Sequence, residues 1–303
     1  MPTIRSLRLP AASALAAVAC LALLPAAAGA AAPADPPRVV VSIPPLAWFV
    51  GEVAGDLVEV SVLLGPGDSP HTFEPTPRQI AGLADADLFL AAGVPFERGL
   101  RPRIAALPGG PRVAGPLADA HGHGDAHDHA HGDGLDPHAW LSPAGAAAIG
   151  DTVAAALLCL LPDQADAFAA GRARLQQRIA AADAAAQAAL AGRRGGIFMV
   201  FHPAFGHFAA AYGLQQLAIE AGGHEPGARR LAEVTTLARD RGVGAVVVQP
   251  QFSRRAAEAV AASLGVPVLV LDPLAADWDD NFVRIARALA GVLGRAPCGS
   301  ARP

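Results

Sequence analysis

A long stretch in the middle of the chain, from Gln164 to Ala191, is rich in alanine and contains few residues that break helices. Alanine has the highest intrinsic helix propensity, so this stretch predicts one long amphipathic helix. Such a helix is too long for a simple crossover, because most connections in compact domains are short. The stretch therefore predicts a rigid spine that joins two domains.

Apolar runs and helical patterns alternate on both sides of this spine. On the N-terminal side we predict strands at residues 38–42, 58–64, 88–91 and 112–114, and helices at 45–54, 77–84 and 144–161. On the C-terminal side we predict strands at 197–201, 214–219, 245–248 and 268–271, and helices at 228–241, 256–264 and 282–293. Continuous apolar strands separated by helices indicate parallel sheets covered on both faces. The predicted fold class is α/β, with two similar domains of mainly parallel sheet flanked by helices.

The N-terminus has the layout of a secretory signal peptide. Arg5 and Arg8 precede an apolar run from Leu9 to Leu24, and small residues follow around Ala26 to Ala32. A basic start, an apolar middle and a small-residue cleavage site are typical of exported proteins. We therefore predict export, with lipid anchoring at Cys20 as an alternative. We expect no membrane span in the mature chain, because no later apolar run has spanning length and suitable flanks.

Charge and cysteine content exclude two classes of site. The chain has 23 basic and 27 acidic residues and a formal net charge of −4, whereas nucleic-acid binding needs a basic surface. Only Cys159 and Cys298 follow the signal peptide. They could form a disulfide or remain separate thiols, with Cys159 buried, and neither has the spacing of a zinc motif. We therefore expect neither nucleic acid as a partner nor cysteine as a metal ligand.

Three histidines and one aspartate stand out as candidate metal ligands. His71 lies in GDSPHTFEPTP, His138 in LDPHAWLSP, His202 in FMVFHPAFGHF and Asp272 in VLVLDPLA. In open parallel sheets, ligands bind beyond the carboxyl ends of the strands, and several of these residues follow predicted strands. Imidazoles and a carboxylate from separate loops can hold a zinc-like ion. Because each half supplies two of them, we predict a metal site in the cleft between the domains.

The sequence offers more than one candidate for the fourth metal ligand. Asp272 would balance the charge that three neutral imidazoles leave on a divalent ion, but the same carboxylate could cap the turn that follows it. Glu74 and a water molecule are the alternatives. For Glu74 we favour a different role, as the cap of the helix that starts near Pro77.

Two further residues are expected to lie behind the ligands. Asp136 could orient His138 by bonding its other ring nitrogen, or it could form the turn before Pro137. His207 lies about 140° round a helix from His202 at 3.6 residues per turn. We therefore expect His207 to pack behind the site and not to bind metal.

A histidine-rich loop is predicted at residues 119–134, where the run HGHGDAHDHAHGD lies. The intervening glycines leave the imidazoles without a fixed geometry, and ordering such a segment costs about 1–2 kcal/mol per residue. We predict a weak auxiliary metal site there, with a solvated loop that binds nothing as the alternative. Its histidines are His121, His123, His127, His129 and His131.

The motifs GPGDSPHTFEPTP, DPHAWLSP, HPAFGHFAAAYGL and LDPLA occur in this order around the long helix. With them the chain resembles the metal-binding solute receptors of bacterial ABC importers, and most closely their zinc-specific, ZnuA-like branch. The resemblance covers nearly the whole mature chain and implies two α/β domains on one rigid helix with metal between them. It places the ligands at His71, His138, His202 and Asp272. Manganese-type members typically have glutamate at the position of His202, and nitrogen there favours zinc.

The domain boundaries follow from the pattern and the resemblance together. We predict a signal peptide at 1–32, an N-terminal metal-binding domain at 33–161, a linker helix at 162–194 and a C-terminal metal-binding domain at 195–303. The resemblance implies a monomeric, non-enzymatic protein of the periplasm. It would capture Zn²⁺ with high affinity and deliver it to an ABC permease with a cytoplasmic ATPase.

Two alternatives to this function remain. One is an extracytoplasmic metal buffer or adhesin of the same fold. The other is a zinc hydrolase, which would need an open coordination position and a general acid or base beside the metal-bound water. The chain has no HExxH motif, so the hydrolase is the weaker alternative.

Overall fold

The computed structural model describes residues 35–115, 136–220 and 227–294. The predicted signal peptide, the lipidation alternative at Cys20, the five histidines of the 119–134 loop and Cys298 lie outside these residues. Cys159 lies within them and is exposed, whereas the alternative of two separate thiols expected it to be buried.

The strands and helices alternate along both halves of the chain. The strands are β1 Arg38–Val41, β2 Glu59–Val62, β3 Leu88–Leu90, β4 Arg112–Ala114, β5 Ile197–Val200, β6 Gln215–Ala218, β7 Val246–Val248 and β8 Val268–Val270. The helices are α1 Pro44–Ala54, α2 Pro77–Ala84, α3 Glu97–Ala105, α4 Pro143–Leu160, α5 Ala165–Ala189, α6 Gly206–Tyr212, α7 Ala228–Asp240, α8 Arg254–Leu264 and α9 Trp278–Val292.

Each half contains a parallel sheet with the same strand order. The first sheet runs β2-β1-β3-β4 and the second runs β6-β5-β7-β8, and all described strand pairs are parallel. The central strands β3 and β7 are buried along their whole length, as expected for sheets with helices on both faces. The predicted fold class is therefore confirmed.

Helix α5 is the predicted spine, and it packs against α1, α4 and α9. Its buried face repeats every three or four residues, which is the period of an amphipathic helix. The buried residues are Phe168, Gly171, Leu175, Ile179, Ala182 and Ala186. All of them except Gly171 belong to a hydrophobic core that also contains Phe49 from the first half and Phe282 from the second. The long helix thus joins the two halves through a shared core.

Two helices and one helix start were not predicted. Helix α3 contains Pro102 in its interior, a residue that normally breaks a helix. Helix α6 is short and follows the sequence HPAF, which contains no cap signal. Helix α9 starts at Trp278, before the predicted residue 282, and Asp279 and Asp280 lie in its first turn. Acidic side chains there stabilise the positive end of the helix dipole.

The cap predicted for α2 was also wrong. Thr76 occupies the N-cap position and forms a capping box with Gln79, whereas Glu74 is exposed. The N-cap residue must directly precede the first helical residue, Pro77, because its side chain bonds the free N–H groups of the first turn. Glu74 lies two positions too early for this role.

Among the described residues, one helix is long and apolar enough to cross a membrane by length and composition alone. It is α4, with a mean hydropathy of 1.6. In this fold α4 packs against α1 and α5 and buries Ile149, Val153 and Leu157. These contacts are those of a core helix.

Helices α1 and α5 cross in close contact at Gly171. A methyl group there would lie 2.1 Å from the carbonyl oxygen of Val53. We expect Gly171→Ala to lower the free energy of unfolding by about 1–3 kcal/mol, because the backbones would have to separate. Denaturant unfolding measures this change. Gly51→Ala is the control, since a methyl group there meets nothing within 4 Å, and alanine should stabilise α1 by up to about 1 kcal/mol. Equal effects of the two substitutions would contradict the close crossing.

Candidate metal centre

Three predicted ligand histidines converge between the two halves. The ring centres of His71 and His202 lie 4.4 Å apart, and those of His138 and His202 lie 5.3 Å apart. All three line one cavity, whose other lining residues are Ser69, Pro70, Gln249, Gln251, Phe252, Pro273 and Leu274. The fold therefore brings together histidines that are up to 131 positions apart in the sequence.

Two imidazole nitrogens of the candidate ligands have a spacing suited to zinc. The Nε2 atoms of His71 and His202 are 3.2 Å apart and share a hydrogen bond. Two nitrogens bound tetrahedrally to zinc at 2.0–2.1 Å would be about 3.3 Å apart. Among the described residues, no group of three or more His, Cys, Asp or Glu side chains is already arranged to hold an ion. The site is therefore a nitrogen pair at ligand spacing with a third imidazole, that of His138, beside it.

His202 follows β5 and is held from several sides. Its backbone is clamped by Gln249, whose Nε2 donates to the His202 carbonyl at 2.6 Å and whose Oε1 accepts from the His202 N–H at 3.4 Å. Phe252 stacks on the ring with 5.6 Å between ring centres. On the other side, Nδ1 lies 3.2 Å from Oε1 of the buried Glu220. These contacts direct Nε2 of His202 towards His71.

Sequence reasoning missed Glu220. The residue lies just after β6, which pairs with the strand that delivers His202. The available signal was an acidic residue at the carboxyl end of a predicted buried strand, where ligand-binding groups of parallel sheets collect. No local motif marks it, because its partner His202 is 18 positions away.

His138 is oriented by a second carboxylate, as the sequence predicts. It precedes a 3₁₀ turn at Ala139–Leu141 that leads into α4, and so does not end a strand. Its Nδ1 lies 2.6 Å from Oδ1 of Asp136. Burial opposes ionisation of Asp136, but the charge and hydrogen bonds of His138, with a contribution from His207, outweigh it and lower the Asp136 pKa to about 2. His207 lies behind the site, with Nε2 donating to the Asp136 carbonyl at 3.1 Å.

The two carboxylates determine which ring nitrogen can bind an ion. A carboxylate beside Nδ1 favours the tautomer that carries its proton on Nδ1, so that the lone pair lies on Nε2. Asp136 does this for His138, and Glu220 does it for His202. Both also place negative charge near any bound cation. The arrangement is that of carboxylate–histidine pairs that support metal ligands in proteins.

Glu220→Gln is expected to weaken zinc binding roughly 10- to 100-fold, because an amide cannot supply the charge that keeps the proton on Nδ1 of His202. Competition with a chelator of known affinity measures the change. Glu233→Gln is the matched control, because Glu233 is exposed on α7 and pairs only with Arg229 among the described ion pairs. An affinity of Glu220→Gln equal to that of the control would show that Glu220 has no role at the site.

His71 approaches from the segment after β2. Its backbone N–H donates to Ser69 Oγ at 3.3 Å, and its side chain is partly buried. Glu74, three residues later, is exposed and lines a different surface pocket with Asp68 and Thr72. The alternative ligand Glu74 therefore lies outside the cavity that the imidazoles line.

Asp272 follows β8 and its carboxylate is already engaged through one oxygen. Oδ1 accepts from the backbone N–H of Leu274 at 2.9 Å and from Nε2 of Gln251 at 3.1 Å. The bond to Leu274 is the turn cap that the sequence allowed. The neighbouring Pro273 and Leu274 line the cavity, but the side chain of Asp272 is not part of its described lining.

Comparison with known proteins adds independent findings. The model of a family described as the periplasmic component A of zinc-uptake complexes (ZnuA) matches residues 39–296. The zinc-binding lipoprotein AdcA of Streptococcus pneumoniae is 29% identical over 257 residues, which cover 78% of this chain and 50% of that protein. The chain thus spans about half the length of the AdcA relatives it matches.

Two ZnuA proteins match over more of their length. The high-affinity zinc uptake system protein ZnuA of Paracoccus denitrificans is 32% identical over 251 residues, covering 70% of this chain and 76% of that protein. A crystal structure of a ZnuA deletion mutant with zinc bound superposes with a TM-score of 0.78 at 33% identity. It covers 87% of this chain and 100% of that chain.

Proposed function

We propose, since this chain belongs to the ZnuA family of periplasmic zinc-uptake components, that it captures Zn²⁺ outside the cytoplasm for import. The observation that carries the proposal is the 3.2 Å separation of the His71 and His202 Nε2 atoms, which suits two ligands of one tetrahedral zinc ion. The family is one of metal-binding transport receptors and not of enzymes. We further propose that the protein is a periplasmic monomer that delivers zinc to an ABC permease and its ATPase.

The proposed ligands are His71, His138, His202 and Asp272. The three imidazoles would bind through Nε2, because carboxylates occupy Nδ1 of His138 and His202. Asp272 would bind through Oδ2, since its Oδ1 already accepts two hydrogen bonds. A water molecule is the alternative fourth ligand. Nanomolar capture would require about −12 kcal/mol of binding free energy.

The proposed domain division is the one derived from the sequence. Residues 33–161 and 195–303 each contribute two ligands, and residues 162–194 contain the joining helix. The shared core around α5 supports a rigid connection between the two domains. We keep the 119–134 loop as a proposed auxiliary site of low affinity.

Zinc affinity is expected to fall steeply in mild acid. Each imidazole must be neutral to bind, and an unperturbed histidine titrates near pH 6.5. Two or three histidines would lower the affinity roughly 100- to 1,000-fold between pH 7.5 and pH 5.5. Asp136, with a pKa of about 2, stays ionised over this range and does not contribute. Chelator competition at several pH values measures how zinc affinity changes across this range. A zinc affinity that does not change with pH would contradict histidine ligation.

The deciding experiment is a chelator titration of Zn²⁺ and Mn²⁺ into metal-free mature protein, with and without residues 119–134. The proposal expects one tight zinc site that survives the deletion, with much weaker manganese binding. Loss of tight zinc binding on deletion would place the main site in the histidine-rich loop and favour a metal buffer. Hydrolysis of an ester or peptide by the zinc-loaded protein would revive the hydrolase alternative.

A further inference from the structure

Two buried tryptophans bridge the two halves of the chain beside the metal centre. Nε1 of Trp140 donates to the carbonyl of Pro273 at 2.8 Å, and Nε1 of Trp278 donates to the carbonyl of Trp140 at 2.7 Å. Both side chains are almost fully buried, at 1% and 2% exposure. Each bond joins a residue of the first half to a residue of the second.

The bonded groups lie next to proposed ligands in the sequence. Trp140 is two residues after His138, and its ring centre lies 5.2 Å from that of His138. Pro273 directly follows Asp272. The bond between Trp140 and Pro273 therefore ties the His138 segment to the Asp272 turn. A change in the distance between these segments would break a buried hydrogen bond.

Trp278 is itself fixed by aromatic packing. Its ring centre lies 5.2 Å from that of Trp48 and 5.6 Å from that of Phe49, both in α1 of the first half. It also stacks on Phe282 of its own helix α9, with ring centres 5.0 Å apart. Close-packed rings on several sides prevent the indole from following a moving partner. The donor of the second bond is thus held in place independently of the metal centre.

We infer that Trp140 and Trp278 are positioning residues, which hold the His138 segment and the Asp272 turn at a fixed separation and thereby slow the release of zinc. This inference rests on the proposed function, since it presupposes that zinc binds between these segments. Neither indole belongs to the described lining of the cavity. Each acts through the backbone of a segment that carries a proposed ligand. The two hydrogen bonds share Trp140, and together they are called the latch.

A tryptophan-to-phenylalanine change separates the hydrogen bond from most of the ring packing. Trp140→Phe leaves the Pro273 carbonyl without this donor, and Trp278→Phe does the same for the Trp140 carbonyl. A buried carbonyl that loses its partner favours conformations in which it reaches another donor or water. For either latch bond, such conformations move the His138 segment away from the Asp272 turn.

The test uses the three tryptophans of the chain as a matched series in the mature protein. Excess chelator is mixed with each zinc-loaded variant, and the rate of zinc dissociation is followed. The variants are Trp140→Phe, Trp278→Phe and Trp48→Phe. Trp48→Phe is the control, because it changes a ring of the same cluster without removing either latch bond. We expect dissociation roughly fivefold faster or more in the two latch variants, and within about twofold of wild type in the control. The Trp140→Phe/Trp278→Phe double variant should be less than additive, because both bonds belong to one unit.

The possible outcomes separate this inference from the proposed function. Latch variants that unfold at lower denaturant but release zinc at the wild-type rate would show a structural role alone and overturn the inference. Such a result would leave zinc capture by the wild type unaffected. A wild type without a tight zinc site would overturn both proposals. If one latch variant fails to fold, the other carries the test, since each removes one of the two bonds.

Discussion

His202→Ala is expected to weaken zinc binding roughly 1,000-fold, or by about 4 kcal/mol, because it removes a proposed metal ligand. The loss should exceed that of any other histidine substitution in the C-terminal half. His202 is held from several sides, with Gln249 on its backbone, Phe252 on its ring face and Glu220 on Nδ1. A chelator competition assay with metal-free protein measures the change directly.

His207→Ala is the matched control for this substitution. His207 is a neighbouring histidine on α6 that bonds the Asp136 carbonyl and is not a proposed ligand. We expect it to change zinc affinity by less than about tenfold, through its contact with Asp136. An unchanged affinity in His202→Ala, or an equal loss in both variants, would remove His202 from the ligand set.

His202→Glu is expected to shift the preference of the site from zinc towards manganese by at least about tenfold in the ratio of affinities. Manganese prefers carboxylate and water oxygen, whereas imidazole nitrogen favours zinc. The structure adds a condition to this prediction. Glu220 lies 3.2 Å from Nδ1 of His202, so a glutamate at position 202 would face a second buried carboxylate. Two like charges at this distance disfavour each other's ionisation.

The double variant His202→Glu/Glu220→Gln removes this conflict. We expect it to bind manganese more tightly than His202→Glu alone, because the amide can donate to the new carboxylate. Titrations of zinc and of manganese into both variants and into Glu220→Gln give the ratio of zinc affinity to manganese affinity for each protein. If the zinc-to-manganese ratio stayed at the wild-type value in the double variant, the argument from ligand nitrogen would be wrong.

The elements of the fold could largely be predicted, since their signals are local. Strand β4 and helix α2 have the predicted bounds, residues 112–114 and 77–84, and α5 lies within the predicted spine. Apolar runs between Gly and Pro, and an alanine-rich stretch with few breakers, act within a short window. Helix α3 was missed for the opposite reason. Its burial of Glu97, Leu100 and Ile104 depends on packing partners elsewhere in the chain, which outweigh the cost of Pro102.

The residues of the candidate site also fall into two groups, those that the sequence indicates and those that only the structure shows. The candidate donor residues could be selected from the sequence, because each of the three histidines adjoins a proline in a recognisable local motif. Asp136 could also be selected from the sequence, since it lies two residues from His138. Glu220 could not, because its partner His202 is 18 positions away. The bond from Trp140 to Pro273 could not be predicted either, because it joins residues 133 positions apart.

By itself the sequence indicated most of the segments that become strands and helices, which half supplies each candidate ligand, and a candidate donor set in which nitrogen dominates. Only the tertiary structure decided that the His71 and His202 nitrogens lie 3.2 Å apart, that Asp272 uses Oδ1 in its own turn, and that carboxylates support two of the imidazoles. The physical reason is that propensity and periodicity act between near neighbours in the chain. The distances and orientations of a site depend instead on how two sheets and one long helix pack together.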